Sequence, residues 1–396
     1  MTSAMLITMI LGFALSASVA VSIGLAAITG MQIVNAPMLI SVKEMFNSLN
    51  KFPLAAIPFF ILAGNLMETG GISRRLVDFA KSIVGGVQVG LPMTCVLTCM
   101  IFAAVSGSSV ATTFAIGAIL IPAIIKHGYP TTWAAALQAT SAELGVIIPP
   151  SIPMILYGVA AEVSIGELFI AGFGPGIVVG GGLMLFIWLY CKWKGWGKHD
   201  GGIFTPTEAA AVAVAYALVV GMGVHREIGL KDLADALRKS VISSAVIMFI
   251  IANAGLFAFL ITRAGVPDAI GQWLSATLQS PHLFLLGVNA ALFLIGMFIE
   301  TSAAIIVLAP ILAPVAMHFG VDPVHFGLIM VVNLAMGMIT PPFGVNLFAA
   351  CTVARISLDR IVGHLLPFVG VILVCLLVIT YVPSISLGLR DLVYAK

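Results

Sequence analysis

A chain of 396 residues, of which 61% are hydrophobic and 9% charged, carries too few charges for a soluble globule, where about a quarter of residues are charged. A formal net charge of +2, spread over scattered Lys and Arg, excludes a nucleic-acid surface and names no electrostatic partner. With a mean hydropathy of +1.16, the composition is that of an all-α polytopic membrane protein whose surroundings are the lipid bilayer.

At ~20 apolar residues per crossing, the pattern predicts full spans over roughly 4–30, 52–68, 131–157, 168–191, 206–224, 241–262 and 365–388. The first apolar run lacks a basic leader and is too long for a signal peptide, so residues 4–30 read as the first spanning helix. Residues 88–105 and 110–126 flank the tetrad Ser106-Gly107-Ser108-Ser109, and residues 282–299 and 302–317 flank Glu300-Thr301. Each arm has ~16 residues, or ~24 Å, short of a ~30 Å hydrocarbon core. Both pairs are therefore predicted to be re-entrant hairpins with polar tips.

Lys192–Gly202 and His225–Ser240 read as polar, solvent-facing segments. Between them Thr205, Pro206 and Glu208 have the spacing of a capped helix start, which gives Glu208 a structural role. The five cysteines show no CxxC pair and no zinc spacing, so they read as small buried hydrophobes. The seven histidines mostly occupy loop-like positions, which argues against a proton relay.

The stretch Glu143–Met154, ELGVIIPPSIPM, puts Pro149 and Pro150 where a membrane helix should continue. Each proline removes a backbone donor and frees a carbonyl one turn earlier. In hydrocarbon that carbonyl needs a partner from the protein or a ligand. Pro149 and Pro150 recur as Pro341 and Pro342, an offset of 341 − 149 = 192. The same offset joins Pro122 to Pro314, Gly128 to Gly320, Gly145 to Gly337 and Pro175 to Pro367. It also lays Ser108-Ser109 over Glu300-Thr301 and Ser141 over Asn333.

The pattern predicts two repeats. Residues 1–200 hold a hairpin near 88–126 and a broken helix near 131–157; residues 201–396 hold a hairpin near 282–317 and a broken helix near 325–355. Duplicated halves with interrupted helices point to a secondary transporter, whose half-helix ends and unwound carbonyls hold ions and substrate at the midplane. The plainer alternative is a pair of kinks satisfied by neighbouring helices.

Phe59–Ser73 (FFILAGNLMETGGIS), Ala103–Gly117 (AAVSGSSVATTFAIG), Glu143–Gly158 (ELGVIIPPSIPMILYG), Gly202–Val214 (GIFTPTEAAAVAV) and Gly337–Phe348 (GMITPPFGVNLF) carry a resemblance along nearly the whole chain. It resembles the large, DctM-like membrane subunit of a tripartite ATP-independent periplasmic (TRAP) transporter. The resemblance implies a sodium-coupled importer of organic acids, such as C4-dicarboxylates or sialic acid, in the bacterial inner membrane. It implies inverted repeats, an elevator fold of the ion-transporter superfamily, a small Q-type membrane subunit and a P-type periplasmic binding protein that sets specificity.

One departure stands out: between Asp200 and Gly202 the family pattern has a further apolar segment of about thirty residues, enough for one crossing. Without it, a single crossing separates the basic stretches 192–198 and 226–239, against the positive-inside rule. Four crossings then separate Ser108 from Glu300, a parity that opposes inversion. The chain is expected to be a shortened form or to lack a segment of the natural protein.

No cofactor is expected beyond sodium as the coupling ion, a hard cation that prefers oxygen ligands. Candidate ligands are Ser106, Gly107, Ser108, Ser109, Ser141, Gly145 and Pro149 in the first half. In the second they are Glu300, Thr301, Asn333, Gly337, Thr340 and Pro341. An organic acid would lie between the tips at Ser108, Ser109, Thr301 and Ser302, facing helix N-termini. Glu300 is open to two roles, sodium ligand or brace of its own tip. Arg263 reads as an interface anchor. Gly107 with Ala103 and Ala111 also forms a small-residue stripe that would serve helix packing alone.

Three alternatives compete. A stand-alone sodium/anion symporter would share the hairpins and the repeat, and a passive channel would need no duplicated ion sites. An intramembrane serine protease using Ser106 or Ser108 would need a facing base, and no histidine is expected near either tip.

Overall fold

In a computed structural model of the chain, the described residues are 1–15, 17–69, 76, 77, 79, 80, 83, 84, 89–196, 230–267, 269, 272, 280–341 and 344–394. They form helices and turns, with no strand among them. The predicted span at 206–224, the cap at Thr205–Glu208 and the junction at 200–202 lie outside the described residues, as does Pro342.

The first predicted span is two helices, α1 (Thr2–Ala14) and α2 (Val19–Ile33). The Ser18 hydroxyl accepts from Val21 N and opens α2. Gly12 backs onto Ser22 and Gly30 onto Met5, so the two helices run antiparallel. Hydropathy misses this turn because one capping serine satisfies the helix start without interrupting the apolar run. α3 (Met38–Leu49) and a 3-10 turn (Phe52–Ala55) lead into α4 (Ala56–Thr69). At 14 residues α4 is ~21 Å long, too short for the full span predicted there.

α5 (Gly90–Ser106) and α6 (Ser109–Lys126) form the first hairpin. α7 (Thr131–Ala142) meets the short α8 (Leu144–Ile147) at Glu143, and α9 (Ile152–Ala160) resumes after the tandem prolines. The two limbs are bent by 43° at that break. α10 (Ile165–Lys194) follows. α11 (Leu230–Arg263) is one helix of 34 residues, so most of the predicted solvent loop His225–Ser240 is helical. Leu233, Ala236, Leu237 and Ser240 recur at helical spacing, with Ala236 and Ser240 buried, which carries the helix through the charged stretch.

The second hairpin is α12 (Pro281–Gly296) and α13 (Thr301–His318), followed by α14 (Pro323–Gly337), α15 (Val345–Ala354), α16 (Leu358–Tyr381) and α17 (Pro383–Tyr394). Ser109 and Thr301 open their helices 192 residues apart, as do Thr131 and Pro323; Ile152 and Val345 do so 193 apart. Among the described residues five helices are long and apolar enough to cross a membrane, α6, α10, α11, α13 and α16, or six with the bent α7–α9 pair. The second hairpin arms α6 and α13 have 18 residues each, longer than the arms predicted from sequence.

Contacts cross between the halves. α6 lies against α7 of its own half and α15 of the other, and α13 lies against α14 and α9. Residues 133–142 of α7 and 324–337 of α14 are buried throughout. These two limbs form the centre of the molecule, and each hairpin tip abuts one of them.

Candidate functional site

The first tip is two residues long. Gly107 closes α5 with φ +60°, a backbone shape that suits glycine. Ser108 caps α6, its hydroxyl accepting from Ala111 N at 3.4 Å. Ser106 Oγ shares a hydrogen with Thr112 Oγ1 at 3.1 Å, and Thr112 Oγ1 donates to Ser108 O at 2.7 Å. A Cβ on Gly107 would stand 3.0 Å from Pro150 O, and Ile152 N donates to Gly107 O at 3.4 Å. A Cβ on Gly145 would stand 2.9 Å from Ser108 O. The two glycines thus let the tip touch the break in its own half.

At that break, Pro150 frees Val146 O, and Ser151 Oγ takes it at 2.6 Å while capping α9. The freed carbonyl is therefore satisfied within the chain, with its second lone pair left over. Ser141 Oγ, one turn earlier, is fully buried and meets no hydrogen-bond partner among the described residues.

The second tip repeats the frame with other groups. Glu300 caps α13, its Oε2 accepting from Ala303 N at 3.0 Å and its Oε1 from Ser302 Oγ at 2.9 Å. The bracing role is visible in these two bonds. Thr301 is fully buried and points its hydroxyl at Met338 Sδ, 2.9 Å away. A Cβ on Gly337 would run into the Gly296 backbone. Thr340 N takes Gly337 O, Thr340 Oγ1 donates to Met336 O, and Pro341 is half-buried. Asn333 Nδ2 donates to Asn289 O and Oδ1 at 2.9 and 2.7 Å, leaving Asn333 Oδ1 buried without a partner among the described residues.

Gly107, Ser108, Ser109, Glu300 and Ser302 face one cavity of about 310 Å³, closed by Val146, Ile152, Met338 and α11 residues Val246, Ile247 and Ile250. Thr301 is not among its walls. No Lys or Arg lines it among the described residues, so an anion there would rely on hydroxyls and helix N-termini. The N-terminus of α13 already holds the Glu300 carboxylate. That of α6 is capped by a neutral hydroxyl, which leaves its positive end to a ligand.

Two amides went unnoticed in the sequence. Asn346 of α15 donates to Glu143 Oε1 at 2.6 Å, and its Oδ1 accepts from Thr113 Oγ1 of α6 at 2.9 Å. Asn289 of α12 ties Asn333 to Thr380. A lone amide inside an apolar membrane helix is itself a signal, since it needs a partner. His325 was also missed: it is buried on α14, bonded to Thr380 O at 3.1 Å. It stands twelve residues, or ~18 Å of helix, before Gly337, and the bonds of Ser106 and Ser108 run to Thr112 and Ala111. No protease arrangement is assembled among these residues.

Comparison with known proteins gives a consistent result. The family description "Tripartite ATP-independent periplasmic transporter, DctM component" matches residues 4–201 and 199–385. These two stretches meet where a missing segment was expected. The chain is 41% identical over 377 residues to a C4-dicarboxylate TRAP transporter large permease protein DctM of Pseudomonas aeruginosa, covering 88% of each. It is 40% identical over 400 residues to an isethionate TRAP transporter permease protein DctMQ of Oleidesulfovibrio alaskensis, covering 93% of this chain and 63% of that one. Among solved structures, the Alcanivorax borkumensis YdaH transporter shares the fold, with a TM-score of 0.65 at 14% identity over 88% of each chain.

Proposed function

The chain belongs to the DctM family of TRAP transporter components, and from that membership we propose that it is the large permease of a sodium-coupled importer of small organic acids. It is a multi-pass membrane protein, placed in the bacterial inner membrane. In this reading a periplasmic binding protein delivers the acid, and a small membrane subunit completes the permease. The acid class follows the C4-dicarboxylate relative; the isethionate relative argues for leaving the particular anion open.

The observation that carries the sodium reading is a matched pair of unsatisfied oxygens. Ser141 Oγ and Asn333 Oδ1 stand 192 residues apart, fully buried and partnerless, each one turn before a close-packed glycine. A buried polar oxygen without a hydrogen bond is costly, and a small hard cation would satisfy both sites in the same way. Ser141, Gly145 and the tip carbonyls at Ser106–Ser109 would hold one ion, and Asn333, Gly337 and the Glu300–Thr301 tip the other. Pro149, Thr340 and Pro341 shape the breaks.

The anion would lie in the cavity between the tips, its carboxylate toward Ser108, Ser109 and the N-terminus of α6, with Ser302 opposite. The cavity borders both tips and α11, as an elevator that moves the two hairpins against α1–α4 and α11 requires. The helix starts kept at the 192-residue spacing support reading the halves as repeats, inverted as the family resemblance implies. Two sodium ions entering with a monovalent anion carry one net charge, worth ~2.3 kcal/mol per 100 mV, whereas a C4-dicarboxylate dianion would need a third sodium ion to draw on the potential in the same way.

Uptake into proteoliposomes, with an inward sodium gradient and with or without the periplasmic fraction, tests the proposal. Uptake that needs both is expected. Full uptake without the fraction would favour a stand-alone symporter, and sodium-independent flux a channel.

A further inference from the structure

A second cavity, of about 460 Å³, lies along α11 beyond the site between the tips. Ile251, Ala254, Ala258, Thr262 and Arg263 line it at helical spacing. It therefore follows α11 for twelve residues, or ~18 Å. α3 forms one side, where Gly255 backs onto Ser48; Leu156 and Val159 of α9 with Ile306 and Pro310 of α13 form the other. Its inner end is fixed by two neighbours. Ile306 also lines the cavity between the tips, as does Ile250 beside Ile251.

The slot changes character along its length. Its inner end is apolar, with Ile251, Leu156 and Ile306 buried. Its mouth carries Glu44, Lys51, Glu162 and Arg263, two charges of each sign. Lys51, Glu162 and Arg263 are exposed and stand at the ends of α3, α9 and α11, which puts the mouth at the level of a membrane interface. Among the described residues the salt bridges all involve Arg390, so no two of these four charges neutralise each other. Lys51 Nζ instead donates to Val159 O at 3.2 Å.

Shape and polarity choose the occupant. A depth of ~18 Å is about one leaflet of a ~30 Å hydrocarbon core. A volume of about 460 Å³ over that depth leaves a mean cross-section of about 25 Å², against about 80 Å² for a helix ~10 Å across. A partner helix is too thick. Water is poorly held by an apolar slot, and an organic acid would find polar groups only at the mouth. A lipid tail fills the length and restores the dispersion contacts that an empty slot forfeits. The mouth suits a headgroup of both signs, with phosphate toward Lys51 and Arg263 and ammonium toward Glu44 and Glu162; a purely anionic headgroup would meet two carboxylates.

We propose that this slot binds one zwitterionic phospholipid, its headgroup held by the four charges at the mouth and one tail lying along α11. The site stands apart from sodium coupling and from the identity of the acid. Its walls are α3 and α11 on one side and α9 and α13 on the other, so in the elevator reading the tail lies on the surface along which the second hairpin slides.

Native mass spectrometry tests the proposal on the full chain, purified in mild detergent and incubated with dioleoyl phosphatidylethanolamine or dioleoyl phosphatidylglycerol. One firmly held ethanolamine lipid per chain is expected, retained about fivefold better than the glycerol lipid. Ala258→Trp, which fills the slot, is expected to lose it. Lys51→Gln and Arg263→Gln are each expected to weaken retention about fivefold. Glu44→Gln combined with Glu162→Gln is expected to reverse the preference toward the glycerol lipid. The mouth variants are expected to keep the wild-type melting midpoint, so they decide the matter even if Ala258→Trp does not fold.

A lipid held equally by the wild type and the mouth variants would lie elsewhere and overturn the proposal, as would a wild type that retains none. Succinate bound in place of lipid, and weakened by Lys51→Gln, would make the slot a water-filled entrance for the acid and overturn it too.

Discussion

The two hairpin tips share a frame and differ in where they keep charge. At the first, a hydroxyl caps the helix and a carboxyl, Glu143, waits at the break; at the second, the carboxyl of Glu300 is the cap and a pair of amides, Asn289 and Asn333, sits at the break. Each half thus has one acid near the centre, placed on opposite sides of its own contact between tip and break. Glycine and proline, which act on the backbone, recur in both halves, while the side chains at the tips and breaks differ. An anion at the first tip would meet a helix dipole not already met by a carboxylate.

If the frame is held by close approach, the largest effects come from filling it. Gly337→Ala, which drives a Cβ into the Gly296 backbone, is expected to cost about 3 kcal/mol, and Gly145→Ala about 2 kcal/mol because a side-chain hydroxyl is among its nearest neighbours. Thermal midpoints of the purified chain check the order. Equal losses would mean that the two contacts are alike after all.

The charged half of the comparison is tested next. Asn346→Ala strands Glu143 and Thr113 together and is expected to cost about 2 kcal/mol, against about 1 kcal/mol for Asn289→Ala, which leaves only neutral groups unpaired. The caps should follow the same order. Glu300→Ala removes two bonds and is expected to lose about 1 kcal/mol, whereas Ser108→Ala removes one 3.4 Å bond and should lose less.

The smallest effect lies outside the membrane-spanning segments. Burial works to raise the Asp322 carboxyl, but hydrogen bonds from Arg390 and from the His325 and Val324 N–H groups hold it below its ordinary value. A depressed carboxyl stabilises the fold above the ordinary carboxylate pKa and loses that contribution as pH falls through the lowered value. Arg390→Ala is therefore expected to cost a few tenths of a kcal/mol at neutral pH. That difference should shrink below about pH 4. A difference that grows in acid would reverse the sign of the argument.

What could be read in the sequence follows from which residues govern backbone and which govern contact. Pro149, Gly107 and Gly145 announce breaks and close approach wherever they stand, so the first hairpin tip and the bent α7–α9 pair were legible. The turn between α1 and α2 was not, because Ser18 caps a helix without lowering the hydropathy around it. The crossing of α6 onto α15 and of α13 onto α9 depends on contacts between distant segments that no local pattern records. Asn346 and Asn289 were passed over for the same reason: their meaning lies in Glu143 and Asn333, which are far away in the chain. Glu300 was seen but left between two roles, and its cap shows only in the distances to Ala303 N and Ser302 Oγ.

The central claim is that the paired, partnerless oxygens of Ser141 and Asn333 are sodium sites. Thermal stabilisation of the purified chain by a panel of organic acids, in sodium and then in potassium, addresses it directly, with Ser141→Ala and Asn333→Ala alongside. Stabilisation confined to sodium and reduced in both variants is the expected result. Equal stabilisation in sodium and potassium, or sodium dependence untouched by either substitution, would contradict the account.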